Sequence, residues 1–155
     1  MFKTMHTGSK PLVICNVWDV ASALIAEQTG FLAIGTSSAA IARSHGLDDG
    51  ENIEFEEILS AVKAIAQATA LPLSVDIESG YGDTPQAIYE NITELVNAGA
   101  VGINIEDSVV VNRERRLCDL MMFSKTLRKV KSMLNKANLE VFISVRVDTF
   151  LMNVK

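Results

Sequence analysis

Asp76-Ile77-Glu78-Ser79-Gly80-Tyr81-Gly82-Asp83 closes a short apolar run, Leu71-Pro72-Leu73-Ser74-Val75, and is followed at once by Thr84-Pro85, a helix start with proline at its first position. An apolar strand that ends in acids and glycines and passes directly into a helix is the rim of a parallel α/β sheet. In such sheets the ligand site lies beyond the carboxyl ends of the strands. Residues two apart on a strand point the same way, so Asp76 and Glu78 are expected on one face, with Val75 and Ile77 on the other.

The same strand-then-helix phrase recurs on both sides. Upstream, Leu12 to Asn16 and Phe31 to Gly35 read as strands, with a helix from Val20 to Thr29 between them, Asp19 as its cap and Gly30 as its stop. Thr36 to Asn52 reads as a long Ser- and Gly-containing loop, expected to be a mobile binding loop or lid. A helix from Ile53 to Thr69 follows it. Downstream, a helix runs to Ala98 with Gly99 as its stop, then a strand Val101 to Ile105, a helix Met122 to Ala137 and a strand Leu139 to Arg146. Short connections between parallel strands force each helix back over the sheet, so the fold class is α/β with a parallel sheet. Two closures fit this pattern: an open doubly wound sheet, favoured by a length of 155 residues, and a (β/α)₈ barrel of which about five of eight strands are present. The whole of 1–155 is read as one domain, whichever closure it takes.

Composition narrows the function. Apolar residues make up 48 % and charged residues 21 %, which excludes a disordered chain. No apolar stretch is long enough for a membrane span and the N-terminus has no signal-peptide pattern, so a soluble cytoplasmic protein without membrane partners is expected. The net charge of −5 is unevenly spread: residues 1–112 hold 15 acids against 4 bases, and residues 113–136 hold 8 bases against 2 acids. That imbalance speaks against nucleic acid and for a cation or small molecule as partner. The basic stretch 125–136 has Phe123, Leu127, Val130, Leu134 and Ala137 at helical spacing, so its lysines and arginines read as the solvated face of an outer helix, with anion binding by that face as the alternative. Cys15 and Cys118 suggest no disulfide framework and no zinc site, and Cys118 reads as structural. His6 and His45 show no ligand spacing to each other. No Gly-x-Gly-x-x-Gly motif, P-loop or Ser-His-Asp arrangement occurs.

Glu106 ends the fourth strand and brings a third carboxylate to the rim holding Asp76 and Glu78. Acids packed together call for a neutralising cation, and a hard divalent ion such as Mg²⁺ suits oxygen ligands. Arg146, at the end of the fifth strand, could hold a substrate carboxylate or phosphonate in a bidentate manner.

With these residues in hand the chain resembles the isocitrate lyase/phosphoenolpyruvate mutase superfamily. The resemblance is carried by Asn16 to Ala23, Gly30 to Ala39, Asp76 to Gly82, Gly102 to Asp107 and Arg146-Val147-Asp148. It implies a (β/α)₈ barrel lacking its last three units, with Mg²⁺ held by Asp76, Glu78 and Glu106. It also implies catalytic roles for Asp49 and Arg146, and a small 2-oxo acid or phosphonate bound by Thr36, Ser37, Ser38 and Arg146. The implied chemistry is lyase cleavage of a C–C or C–P bond through an enolate. The stretch Val109 to Asp119 lacks the Cys-Gly-His of the isocitrate lyases, and Asn112 and Glu114 stand where the phosphonomutases have Lys-x-Asn-Ser. The generic branch, with oxaloacetate decarboxylase-like chemistry, is the nearest match. An inactive remnant of the superfamily is the alternative. Exposed edges of a five-stranded sheet lead us to expect homo-oligomers.

Overall fold

The computed structural model describes residues 2–152. In chain order the elements are α1 (Phe2–Met5), β1 (Cys15–Val17), α2 (Val20–Gln28), β2 (Ile34–Thr36), α3 (Ser38–Ser44), α4 (Phe55–Ala68), β3 (Leu73–Asp76), α5 (Pro85–Asn97), β4 (Gly102–Glu106), β5 (Ser108–Val111), β6 (Glu114–Leu117), α6 (Leu120–Lys136) and β7 (Phe142–Arg146). The main sheet is parallel with strand order β1-β2-β3-β4-β7. Each strand is therefore added beside its predecessor, with no reversal of order. That is the progression of a barrel, whereas a doubly wound sheet reverses at a switch point.

Local chemistry explains the helix starts. Asp19 and Ser22 form a reciprocal capping box at α2. Thr84 Oγ1 accepts from Ala87 N ahead of Pro85 in α5, and Asp119 accepts from Met122 N at α6. Leu73, Val75 and Ile77, with Ile103 and Ile105, are fully buried beneath the inner faces of α4, α5 and α6, where Ile58, Val62, Ile65, Ile92, Leu95, Val130 and Leu134 complete one core. At about 25 cal/mol per Å² this apolar layer supplies most of the folding drive and fixes which strand residues face away from it. In α6 the lysines and arginines lie outward, and among the described residues no helix is long and apolar enough to cross a membrane.

Two segments depart from the sequence expectation. Thr36 to Asn52 is not a structureless loop: Ser37 Oγ accepts from Ala40 N at 3.3 Å and caps α3, whose Ile41 and Ala42 enter the core. Ser108 to Leu117 forms the antiparallel hairpin β5–β6, with Val110 opposite Arg115. Its turn residues Asn112 and Arg113 both have left-handed φ, 53° and 65°, as a tight two-residue hairpin turn demands.

Candidate active site

The carboxyl ends of β2, β3, β4 and β7 and the segments that follow them form the rim. Strand register sets its layout: Asp76 lies level with Asn104, Asn104 with Ser144, and Glu106 with Arg146. Side chains of alternate positions line a cavity of about 280 Å³ whose walls include Thr36, Asp76, Asn104, Ser144 and Arg146. That size suits a small acid.

Asp76 is held from three sides. Ser38 Oγ donates to its Oδ2 at 2.9 Å, Asn104 Nδ2 donates to its Oδ1 at 3.3 Å, and its own amide donates to Thr36 Oγ1 at 2.8 Å. Thr36 and Ser38 thus join the acid they were expected to accompany, whereas the Ser37 side chain is engaged in capping α3.

Glu78 does not continue the pleat. β3 ends at Asp76, and Glu78 adopts φ 49°, so strand alternation does not extend to it. Its side chain turns toward a second cavity, also about 280 Å³, lined by Gly50, Glu51, Asn52, Glu106 and Ser108. There Glu51 N donates to Glu78 Oε2 at 3.0 Å and Tyr81 Oη donates to Oε1 at 3.1 Å. Burial, aided by the charge of Asp49, pushes the Glu78 carboxyl up to about 7. Tyr81 is driven far upward by burial and by Glu78, and remains a neutral donor. Glu51, also at positive φ, accepts from Ser79 N, Ser79 Oγ and Tyr81 N, and so ties the segment after α3 to the β3 rim. Left-handed non-glycine residues concentrated in one place are backbone strain held by surrounding contacts.

Glu106, 1 % exposed, is the centre of the charge network. Its Oε1 is paired with Arg115 Nη1 and its Oε2 with Arg146 Nη2. Glu106 Oε2, although it faces Arg146, and Asp49 Oδ1 are both buried without a hydrogen-bond partner. Arg115 Nη1 also meets Ser108 Oγ at 2.8 Å and Asp148 Oδ2 at 3.2 Å, and its Nη2 meets Asp49 Oδ2 at 3.0 Å. Asp148, itself buried, takes Arg146 Nε at 2.7 Å and Ser108 Oγ at 2.6 Å. Burial raises its carboxyl, but the hydrogen bonds from Ser108 and Arg146 and the two guanidinium charges outweigh that and hold it below its ordinary value. Burial and the charges of Asp107 and Glu51 push the Cys118 thiol up, away from the range of a reactive nucleophile.

The rim thus brings together Thr36, Asp76 and Arg146 in one cavity, with Ser38 hydrogen-bonded to Asp76, and Glu78 with Glu106 in the next, with Asp49 joined to them through Arg115. Among the described residues, no three His, Cys, Asp or Glu side chains converge as ligands on one point. Carboxylate oxygen is the donor type Mg²⁺ takes, but Asp76 stands in one cavity and Glu78 and Glu106 in the other. Of the two buried carboxylate oxygens without a hydrogen bond, Glu106 Oε2 faces Arg146 and Asp49 Oδ1 belongs to a carboxylate held by Arg115. Glu51, Ser108 and Arg115 join the site without any signal at strand ends, because a loop and a hairpin deliver them.

Comparison with known proteins agrees with this layout. The profile of the phosphoenolpyruvate phosphomutase family matches residues 2–155. An uncharacterized protein of Mycobacterium tuberculosis (strain H37Rv) is 37 % identical over 149 residues, covering 96 % of this chain and 53 % of its own length. The 2-methylisocitrate lyase of Shewanella oneidensis is 37 % identical over 113 residues, covering 72 % of this chain and 38 % of its own. A crystal structure from Burkholderia cenocepacia J2315 superposes with TM-score 0.88 at 34 % identity, covering 97 % of this chain and 60 % of that one. The chain spans about half the length of the first of these relatives. A parallel sheet of unreversed strand order, acids at its carboxyl rim and this match over nearly every residue place the chain in the phosphoenolpyruvate phosphomutase family, within the isocitrate lyase/PEP mutase superfamily.

Proposed function

We propose that the protein is an Mg²⁺-dependent lyase of small 2-oxo acids, of oxaloacetate or phosphonopyruvate type, cleaving a C–C or C–P bond to leave an enolate. The observation that carries this reading is the rim itself: Arg146, Asp76, Thr36 and Asn104 around a cavity sized for a small acid, beside the buried carboxylate of Glu106. The relationship to a protein named 2-methylisocitrate lyase supports a lyase.

Asp76, Glu78 and Glu106 would hold the ion, with Asp49 behind them, and Mg²⁺ would supply positive charge beside the enolate oxygen. Arg146 offers a guanidinium to the substrate carboxylate or phosphonate, and Thr36 in the cavity wall offers its hydroxyl, whereas the Ser37 and Ser38 hydroxyls are engaged with Ala40 N and Asp76. Asn104 and Ser38 fix the Asp76 carboxylate so that it need not reorganise during reaction. Self-association belongs to the same reading, since Val13, Leu32, Met121 and Met122 are exposed.

Pyruvate release from oxaloacetate and from phosphonopyruvate, together with calorimetric binding of oxalate, tests the reading, each with Mg²⁺ and with EDTA. Metal-dependent turnover or oxalate binding that Asp76→Ala abolishes is the expected result. A folded chain that shows neither, or shows both equally in EDTA, overturns it. Light scattering at micromolar concentration checks the association.

A further inference from the structure

We infer that Asp148 is a positioning residue that turns Arg146 edge-on to the rim cavity, so that the acid group meeting the arginine is a carboxylate and not a phosphonate. This rests on the reading of that cavity as a substrate site and narrows the substrate class it takes.

Most of the arginine's donors are already engaged. Arg146 Nε donates to Asp148 Oδ1 at 2.7 Å and Nη2 donates to Asp148 Oδ2 at 3.2 Å, a two-point pairing along one edge of the guanidinium. The same Nη2 is ion-paired with Glu106 Oε2. Of the three nitrogens, only Nη1 has neither a hydrogen bond nor an ion pair among the described residues. Arg146 lines the rim cavity, and Nη1 is the nitrogen it has left for a ligand there. Asp148 is itself fastened in this pose. Ser108 Oγ donates to its Oδ2 at 2.6 Å, Arg115 Nη1 donates to the same oxygen at 3.2 Å, and its own amide donates to Asp107 Oδ1 at 2.8 Å. Ser108, Asp107 and Asp148 are all buried. Strand pairing with β4 fixes only the backbone of Arg146; the direction of its guanidinium is set by this carboxylate.

Two consequences bear on the ligand. A phosphonate brings three oxygens and up to two charges, and a guanidinium meets it best with two parallel N–H donors. Neither fork is open here, because Nε is held by Asp148 and Nη2 is shared between Asp148 and Glu106. The charges point the same way. Asp49, Glu106 and Asp148 stand against Arg115 and Arg146, three carboxylates to two guanidiniums, and Asp76 adds a further acid to the cavity wall. The neighbouring wall residues Thr36, Asn104 and Ser144 are neutral and do not offset that excess. A cation already shared among acids can take a singly charged carboxylate end-on, whereas a second ligand charge at the same place meets net repulsion.

Pyruvate and acetylphosphonate, which differ only in the acid on the keto carbon, are the probes. They are titrated by NMR, with Mg²⁺ present, against the 155-residue chain as wild type, Asp148→Asn and Arg146→Met. Asn keeps an acceptor for Nε and puts an amide donor in place of the other oxygen, which frees Nη2. We expect wild type to bind pyruvate roughly tenfold more tightly than acetylphosphonate, Asp148→Asn to bring the two within about threefold, and Arg146→Met to lose both. A role in packing alone would weaken both ligands alike and leave their ratio unmoved. An unchanged ratio in Asp148→Asn, or a wild type that prefers acetylphosphonate, overturns the inference and leaves the substrate cavity standing. Binding of neither probe to any folded form, or pyruvate binding undiminished in Arg146→Met, overturns the cavity reading as well. Should Asp148→Asn fail to fold, ¹⁵N spectra of the arginine side chains in the wild type decide. Separate Nη1 and Nη2 signals for Arg146, of which pyruvate moves Nη1 alone, support the inference; one averaged signal, or movement of both, overturns it.

Discussion

Glu51 Oε1 accepts the backbone amide of Ser79 at 2.9 Å and the Ser79 hydroxyl at 2.7 Å, so a residue of the segment after α3 fastens the turn that follows β3. The amide of Tyr81 donates to the same oxygen at 3.1 Å, and Glu51 N reaches back to Glu78. This clamp holds Glu51, Glu78 and Tyr81 in left-handed conformations that would otherwise relax.

Removing the clamp loosens both sides of it. Glu51→Ala leaves three donors without their acceptor, and hydrogen bonds to a charged group are worth about 1.5–3 kcal/mol. We expect a loss of about 2 kcal/mol in urea unfolding, with faster hydrogen exchange at the Ser79 and Tyr81 amides. Unchanged exchange there would show that the turn holds itself.

Glu78 gives the metal-free protein a pH-dependent stability. Its carboxyl rises from an ordinary 4.5 to about 7 in the folded state, so the folded protein binds the proton more tightly than the unfolded chain. The contribution is fully present below pH 4.5 and is lost as pH rises through about 7. At 1.36 kcal/mol per pH unit it amounts to about 3 kcal/mol. In EDTA, urea midpoints measured from pH 4.5 to 8 should fall in the wild type and fall much less in Glu78→Gln. Parallel curves would count against burial as the cause.

Asp148 acts with the opposite sign. Its carboxyl is held below 3.8, so the stability it contributes is present above that value and is lost as pH falls through the depressed one. Ser108→Ala deletes the 2.6 Å hydrogen bond to Asp148 and one contact of Arg115. We expect it to cost about 1–3 kcal/mol at pH 7, with the gap to wild type narrowing as pH falls below 3.8 and through the depressed value. A gap that stays constant in acid would assign the loss to packing instead.

The contact between the hairpin and the segment after α3 can be broken at a glycine. Gly50 has φ +104°, and a Cβ there would lie 2.5 Å from Val110 Cβ. Gly50→Ala combines a left-handed penalty with overpacking, about 2–4 kcal/mol together. Gly46 has φ +74° with open space around it, so Gly46→Ala carries the backbone penalty alone, about 1–2 kcal/mol. Thermal melts of the two variants should differ in that order, and equal losses would mean that Val110 moves aside freely.

The sequence by itself determined the parallel α/β class, the five main strands and the rim position of Asp76, Glu106 and Arg146. Those features rest on local periodicity and on punctuation by caps, prolines and glycines, which act within a few residues. It also carried the family resemblance, through motifs at the strand ends. Periodicity alone left a doubly wound and a barrel-type order both open; the resemblance implied the barrel, and the unreversed strand order bears it out, since strand neighbours are chosen by long-range pairing. Only the tertiary structure decided the left-handed turn that takes Glu78 off the pleat, and α3 within the expected loop, whose helix depends on Ile41 and Ala42 reaching the core. Above all it decided the company of Glu106. Arg115 stands nine positions away in a ribbon whose strands look like an ordinary loop in sequence, and Asp49 lies 66 positions from Arg115. Their meeting is fixed by the buried balance of charge at the rim, which no spacing along the chain encodes.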